Sequence, residues 1–453
     1  MHKRAFLQSS AAAIASSILS RMLPAQTQAA PRTNWAGNLT YSAPNLFEPR
    51  SVEEVQTAVR DHRHLRALGS RHSFNAIADS PENQISLHAL NAIDLDPAAK
   101  TVTVGAGVRY GDLAPVIDAR GFALHNLASL PHISVAGAIA TATHGSGLHN
   151  GNLATAVSAL EFVNARGDLV RLSRAPESRQ ASEKFQGAAV HLGALGILTR
   201  TTLDVQPTYQ VAQTVYLDLP MAALEHHLEE IFAAGYSVSL FTDWQNGRIT
   251  QVWIKRRTDH ADVPTTLGPD FFGARPATEK MHPILGHPAE ACTEQLGVPG
   301  PWYERLPHFK MNFTPSSGQE LQTEYFVPFE HGYQAIRAVE TLRDQITPHL
   351  FITELRTIAA DDLWMSMAYR RRSLAIHFTW KPEWPQVRAI LPQIEARLAP
   401  FSARPHWAKL FTLPPTQLQA LYPRLADFKS LAATYDPEAK FRNPFLAVNL
   451  YTA

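Results

Sequence analysis

Ser129-Leu130-Pro131-His132-Ile133-Ser134-Val135-Ala136-Gly137-Ala138-Ile139-Ala140-Thr141-Ala142-Thr143-His144-Gly145-Ser146-Gly147 holds few bulky side chains and offers many backbone N–H groups. Such a segment lets the backbone approach a ligand closely, and amide groups cradle a phosphate without needing a charged side chain. Tight packing between elements makes the same demand on composition, so both readings stand for this stretch alone. A second constellation lies upstream, Gly69-Ser70-Arg71-His72-Ser73-Phe74-Asn75, where His72 sits in a polar turn rather than on an apolar face. Taken by itself it fits a structural or surface histidine. The common nucleotide motifs fail. Gly105-Ala106-Gly107-Val108-Arg109-Tyr110 has Tyr where a dinucleotide fingerprint needs its third Gly, and neither a P-loop nor a Gly-x-Ser-x-Gly nucleophile elbow occurs.

Outward from these stretches the chain reads as mixed helix and strand. Ser51 to His62 has helical spacing through Val55 and Val59, and Arg66-Ala67-Leu68-Gly69-Ser70 predicts a short strand running into a turn. Thr101 to Gly105 alternates as a strand, and Tyr110 to Arg120 predicts a helix closed by Gly121. Ala159 to Asn164 and Leu169 to Leu172 predict a hairpin across Ala165-Arg166-Gly167-Asp168, and Ile197 to Val205 alternates again. From about Gln206 aromatics and long side chains increase. Ser237 to Gln251, Val252 to Lys255, Tyr325 to Val327 and Ile376 to Trp380 alternate like strands of an antiparallel sheet, with helical stretches at His331 to Leu342 and Pro385 to Leu398. Residues 258 to 310, rich in Pro, Gly and His, predict long ordered loops, and Pro423 to Ala432 predicts a helix with Pro in its first turn.

The 453 residues suit about three domains or two large ones, and 45% hydrophobic with 18% charged residues excludes disorder and fibrous architectures. Lys+Arg is 41 and Asp+Glu is 40, so the net charge of +1 gives no electrostatic case for nucleic acid or an anionic membrane. The single cysteine, Cys292, excludes an intrachain disulfide and Cys-rich metal or iron–sulfur sites. The 20 histidines contain no His-Glu-x-x-His, and His226 and His227 lie in a charged run that reads as a solvated helix face, so no metal site is expected.

The N-terminus has a signal-peptide outline: basic Lys3-Arg4, a short apolar run from Ala11 to Leu19, and small residues up to Ala30. The run is too short for a bilayer span of ~20 apolar residues. Lys3-Arg4-Ala5-Phe6-Leu7 resembles the twin-arginine export signal with Lys in place of the first Arg. The expectation is a cleaved segment 1–30 and a soluble mature protein in the periplasm or secreted.

Taken together, Ala67 to Asn75, the 129–147 stretch, Asn34-Trp35-Ala36-Gly37-Asn38 and His406-Trp407-Ala408-Lys409 resemble the sugar-alcohol and aldonolactone oxidases. These are FAD flavoproteins of the vanillyl-alcohol-oxidase type. Tyr236 to Leu240, Cys292 to Gln295, Pro299 to Trp302, Thr314 to Gly318 and Glu354-Leu355-Arg356-Thr357 point to the alditol-oxidising branch. The resemblance implies an α+β fold: a two-part FAD-binding domain and a substrate domain with a broad antiparallel sheet. Residues 31–205 would form the first, 206–420 the second, and 421–453 would return to the FAD domain.

The resemblance also implies roles. His72 stands where the family attaches FAD covalently, within a cofactor-binding run Ala67, Leu68, Gly69, Ser70, Arg71, His72 and Ser73. Ser129, Ser134, Gly137, Thr141, Ala142, Thr143 and His144 would hold the diphosphate and flavin, and Leu198 would touch the flavin through its backbone. Leu127-Ala128-Ser129 lacks the Cys of doubly linked relatives, so one link is implied. A polyol offers only hydroxyls, and the matching polar positions are Ser129, Glu354, Arg356, Thr379 and Lys409. Arg356 and Lys409 would stabilise a developing alkoxide, His377 or a water would take the proton, and hydride would pass to flavin N5. Oxygen would then be reduced to hydrogen peroxide, with xylitol or sorbitol giving an aldose. On residues alone, a structural Glu354–Arg356 salt bridge and a core His377 are the competing readings. The competing functions are an aldonolactone oxidase or dehydrogenase of the galactono- or gulonolactone type, and a noncatalytic flavin-binding protein.

Overall fold

The computed structural model describes residues 31–174, 178–259, 268–313 and 319–452, and the described helices and strands all lie in the unit Thr33–Ala453. The proposed signal segment and the stretch Thr314 to Gly318 fall outside the described residues.

Local rules set the first elements. Ser51 caps the helix Val52–Asp61, its hydroxyl accepting from Glu54 N at 3.3 Å, with Glu53 and Glu54 in the first turn and Arg60 in the last. Val55 and Val59, one turn apart, are fully buried and fix which face turns inward. The strand Arg66–Leu68 joins Asn83–Ser86 and Asn45–Phe47 in a small parallel sheet. The chain leaves Arg66–Leu68 directly into the polar turn that carries His72. The helix Tyr110–Asp118 does end before Gly121, whose φ of +84° reverses the chain.

A five-stranded antiparallel sheet runs in the order Ile93–Asp96, Thr101–Gly105, Ile197–Asp204, Val157–Val163, Leu169–Ser173. Its outer hairpin pairs Val163 with Leu169 across the predicted turn. Strand membership then changes. Gln210–Pro220 enters a nine-stranded antiparallel sheet whose central neighbours are Ser237–Thr242, Leu350–Ile358, Ser373–Trp380 and Leu321–Pro328. One face of this sheet packs on the helices Gly332–Glu340 and Trp384–Leu398 through Ile336, Val339, Val387 and Ile394, all fully buried. The other face carries a smaller buried apolar cluster, Val215, Phe241, Trp253 and Ile352 among it, beside the polar side chains described below. Within 258–310 the described residues hold only short strand pieces, Arg275–Pro276 and Pro299–Pro301, and one helical turn at Trp302–Glu304. The late helix is Leu425–Tyr435 rather than Pro423 to Ala432. Arg424, at φ −101°, occupies the capping position, so Pro423 stays outside the helix.

Candidate active site

A single large cavity of about 680 Å³ collects nearly every predicted site residue. The turn from Ala67 to Ser73 forms one wall, with Ser134, Gly137, Thr141, Thr143 and Leu198 beside it. The short helix Val135–Ala140 begins at Ser134, whose Oγ accepts from Gly137 N at 3.3 Å and whose N–H donates to Ser70 Oγ at 3.0 Å. A Cβ on either Gly69 or Gly137 would lie 2.8 Å from Ser134 Oγ, so Gly69 lets the His72 turn approach the helix start and Gly137 leaves room for the capping hydroxyl. Ala142 is the exception among the predicted contacts. It is fully buried at φ +52°, and its methyl packs in the apolar core behind the wall instead of lining the cavity.

The wall suits a bound FAD. His72 is stacked on Trp35 at 5.5 Å, and its Nε2 is buried with no partner. Burial, with help from His132, pushes its pKa down to about 4, so the imidazole is neutral and keeps a lone pair near pH 7. His191 lines the same cavity. Its Nδ1 accepts from Gly193 N–H at 2.9 Å, which puts the proton on Nε2, a buried donor without a partner. A buried donor facing a cavity is a place for a ligand acceptor. FAD, which carries phosphate, ribose and flavin acceptors, supplies such groups.

The far end of the cavity is built by three neighbouring strands. Antiparallel register sets Glu354, His377 and Glu324 side by side in one row, and Ile352, Thr379 and Gln322 in the next. Arg356 is two residues from Glu354 and shares its face. Lys409 reaches in from the turn after Arg404–Pro405, where Lys409 N donates to His406 O and Leu410 N to Gln322 O. Asn75, at the end of the His72 turn, donates to Trp407 O and Lys409 O at 2.9 and 2.7 Å. One amide thereby ties the cofactor wall to the lysine.

Sequence reasoning missed the centre of this cluster, Glu324. It is 1% exposed and meets Arg356 Nη2 at 2.6 Å, Lys409 Nζ at 2.8 Å and His144 Nε2 at 3.1 Å. His144, expected beside the flavin, thus turns its ring to Glu324. Burial alone would raise the Glu324 pKa, but Lys409, Arg356 and His144 outweigh it and hold the carboxyl well below its usual range. The Arg356–Glu324–Lys409 group then carries a single net positive charge. Glu354 is likewise held low against burial by Arg356 and His308. Its Oε1 accepts from His308 Nε2 at 2.8 Å, and His308 is a second missed residue. Arg356 Nη1 also donates to Ser129 Oγ at 3.3 Å. His377 is buried with neither ring nitrogen bonded, and burial brings its pKa down to about 4. His144, Glu324 and His406 come close enough to share a metal ion, but Glu324 already serves two cations that would repel one. The signal for Glu324 was a lone carboxylate in the apolar strand Leu321–Pro328. Nothing in the loop sequence around His308 marked it.

Residues 43–173 match the family described as an FAD binding domain, and residues 313–449 match D-arabinono-1,4-lactone oxidase. The alditol oxidase of a Streptomyces species is 48% identical over 91% of this chain and 97% of its own. The chain belongs to the sugar-alcohol and aldonolactone oxidases. It is therefore an FAD-dependent oxidoreductase. More distant members of the family include the L-gulonolactone oxidase of Bos taurus, 26% identical over 92% of this chain and 98% of that one. Among solved structures, the glucooligosaccharide oxidase of Acremonium strictum superposes with a TM-score of 0.71 at 16% identity, covering 92% of this chain and 93% of that one. That protein carries a 6-S-cysteinyl, 8α-N1-histidyl FAD. The xylooligosaccharide oxidase of Myceliophthora thermophila matches equally well, with a TM-score of 0.71 at 15% identity over 93% of this chain and 94% of that one. These likenesses establish the vanillyl-alcohol-oxidase fold, an α+β architecture with a broad antiparallel sheet. Among the described residues no helix is long and apolar enough to cross a membrane.

Proposed function

We propose that this protein oxidises the terminal hydroxyl of linear alditols, xylitol and sorbitol among them, to aldoses, with oxygen as acceptor and hydrogen peroxide as product. The observation that carries the reading is the row Glu354–His377–Glu324 flanked by Arg356 and Lys409: two ionised acceptors and two cationic donors on one wall. A chain of hydroxyls, each both donor and acceptor, satisfies such a wall. A lactone replaces one donor by a carbonyl and forfeits one hydrogen bond to a charged group, worth about 1.5–3 kcal/mol. The relative at 48% identity, an alditol oxidase, supports the same choice, while the lactone enzymes are far more distant.

Bound FAD would supply the two-electron acceptor for the carbinol hydride. The chain supplies everything else. Glu354, Thr379 and Ser129 orient the polyol, Arg356 and Lys409 stabilise negative charge on the reacting oxygen, and the unbonded, neutral His377 takes its proton. Trp35 and the turn around it hold His72 as a neutral nucleophile for a single covalent flavin link. Residues 1–30 would act as an export signal, supported by Lys3-Arg4-Ala5-Phe6-Leu7, and deliver the loaded enzyme to the periplasm or beyond. Mass spectrometry of the active protein from its host should then find an N-terminus near Ala30 or Pro31, and an intact Met1 would count against it.

The functional test is anaerobic stopped-flow reduction with a panel of polyols and lactones. Xylitol and sorbitol should bleach the flavin and release peroxide on re-aeration. Fast reduction by galactono- or gulonolactone with none by xylitol would move the enzyme to the lactone oxidases, and no reduction by any of them would leave only a flavin-binding role.

A further inference from the structure

Lys255 lies in the strand Arg248–Arg257, is 1% exposed, and sits behind the substrate wall without lining the cavity. Its three ammonium protons have three acceptors: Leu306 O, Pro307 O at 3.3 Å and His308 Nδ1 at 2.9 Å. Burial brings the Lys255 pKa down to about 7, and below that pH it is an ammonium, which accepts no hydrogen bond, so there Nδ1 of His308 must be the lone-pair nitrogen. Burial and the neighbouring Lys255 push the His308 pKa down to about 4, so the ring carries one proton. That proton is on Nε2, 2.8 Å from Glu354 Oε1. Glu354 spends one oxygen there, and its Oε2 lies 3.6 Å from Arg356 Nε and 3.7 Å from His377 Nδ1 on the cavity side.

We propose that Lys255 is a positioning residue for alditol oxidation: it locks His308 in the Nε2–H tautomer and so keeps Glu354 an ionised, oriented acceptor for a substrate hydroxyl. The proposal rests on the reading of Glu354 as a partner of the polyol. The groups facing Glu354 are Arg356 on its own strand, His377 on the next, His308 from the loop, and Lys255 and Lys409 beyond. Lys255 itself faces Glu354, Arg356 and Cys292, whose thiol burial pushes up to about 12. Without the lysine, nothing demands a lone pair on Nδ1 and the Leu306 and Pro307 carbonyls lose their donor, so the lock predicts that the tautomer inverts. A lone pair on Nε2 would then abut Glu354 Oε1, and the carboxyl would answer by taking a proton at a higher pH than before.

The holoenzyme tests this in three steps. The tautomer is read first in the parent protein from the ¹⁵N signals of labelled histidine, with His308→Gln removing one set to assign it. A protonated Nδ1 there overturns the proposal before any Lys255 variant is made. Next, Lys255→Met should show the inverted tautomer, and the acid limb of flavin reduction by xylitol should move up by about one pH unit or more, roughly tenfold in rate on that limb. KM should rise more than kcat falls, which a purely structural lysine would not produce. Finally, Lys255→Met is combined with His308→Gln, whose amide donates to Glu354 whatever Lys255 does. The lock predicts no further movement of the acid limb in that background. A shift of the same size there would make Lys255 a plain distant charge and refute the lock. A parent enzyme with the predicted tautomer that xylitol does not reduce would instead refute the alditol reading and leave the lock standing.

Discussion

Glu324→Gln is the most discriminating substitution at this site. The parent carboxylate is 1% exposed and neutralises Arg356 at 2.6 Å and Lys409 at 2.8 Å. Breaking a buried ion pair by removing one partner typically loses about 3–5 kcal/mol, because the remaining charge stays buried. The glutamine carbonyl still accepts one hydrogen bond, which places the loss near the lower end of that range, about 3 kcal/mol. The second effect is on chemistry. Burial and Arg356 already lower the Lys409 pKa, and Glu324 is the first group opposing them. Without it Lys409 should shed its proton at a lower pH, and the alkoxide loses a cationic partner worth about 10²–10³ in rate. A lysine with a depressed pKa is charged only below it, so activity should recover as the pH falls. Urea unfolding of the holoenzyme measures the first effect, and anaerobic stopped-flow reduction by xylitol across pH measures the second. A variant within about 0.5 kcal/mol of the parent, with an unchanged pH–rate profile, would refute the claim that Glu324 balances the two cations.

Lys409→Met should slow flavin reduction by about 10²-fold yet unfold closer to the parent than Glu324→Gln does, since Glu324 keeps Arg356 and His144 as partners; an unchanged reductive rate removes Lys409 from the mechanism. His72→Ala should release its flavin into the supernatant on acid precipitation, while the parent pellet stays yellow. The holoenzyme should lose stability as the pH drops from about 6.5 towards 4: His191, His308 and His377 are each held down to about 4 in the fold, so the unfolded chain binds protons first over that interval. A urea midpoint flat between those pH values would count against three neutral buried histidines.

The local elements were legible because each rests on short-range chemistry. The Ser51 cap with Val55 and Val59, the hairpin around Gly167 and the alternation of Thr101 to Gly105 need no distant partner to be recognised. The run from Ala67 to Ser73 and the small-residue stretch after Ser129 were readable for a related reason: a backbone that must approach a ligand excludes bulk, and that exclusion is written in composition. Ala142 shows the limit of this, because being small does not say which side of a wall a methyl lies on. The substrate end was only half visible. Glu354 and Arg356 share a face by their spacing alone, but placing Glu324 beside them required the register of three strands drawn from residues 321–380. The Lys255–His308 pair joins a strand to a loop 53 residues away. Charges in a low-dielectric interior act on whatever the fold brings within a few ångströms, whatever their separation along the chain. The sequence therefore determined which chemistry is present, and the tertiary structure decided which carboxylate neutralises which cation and which histidine is left free to take a proton.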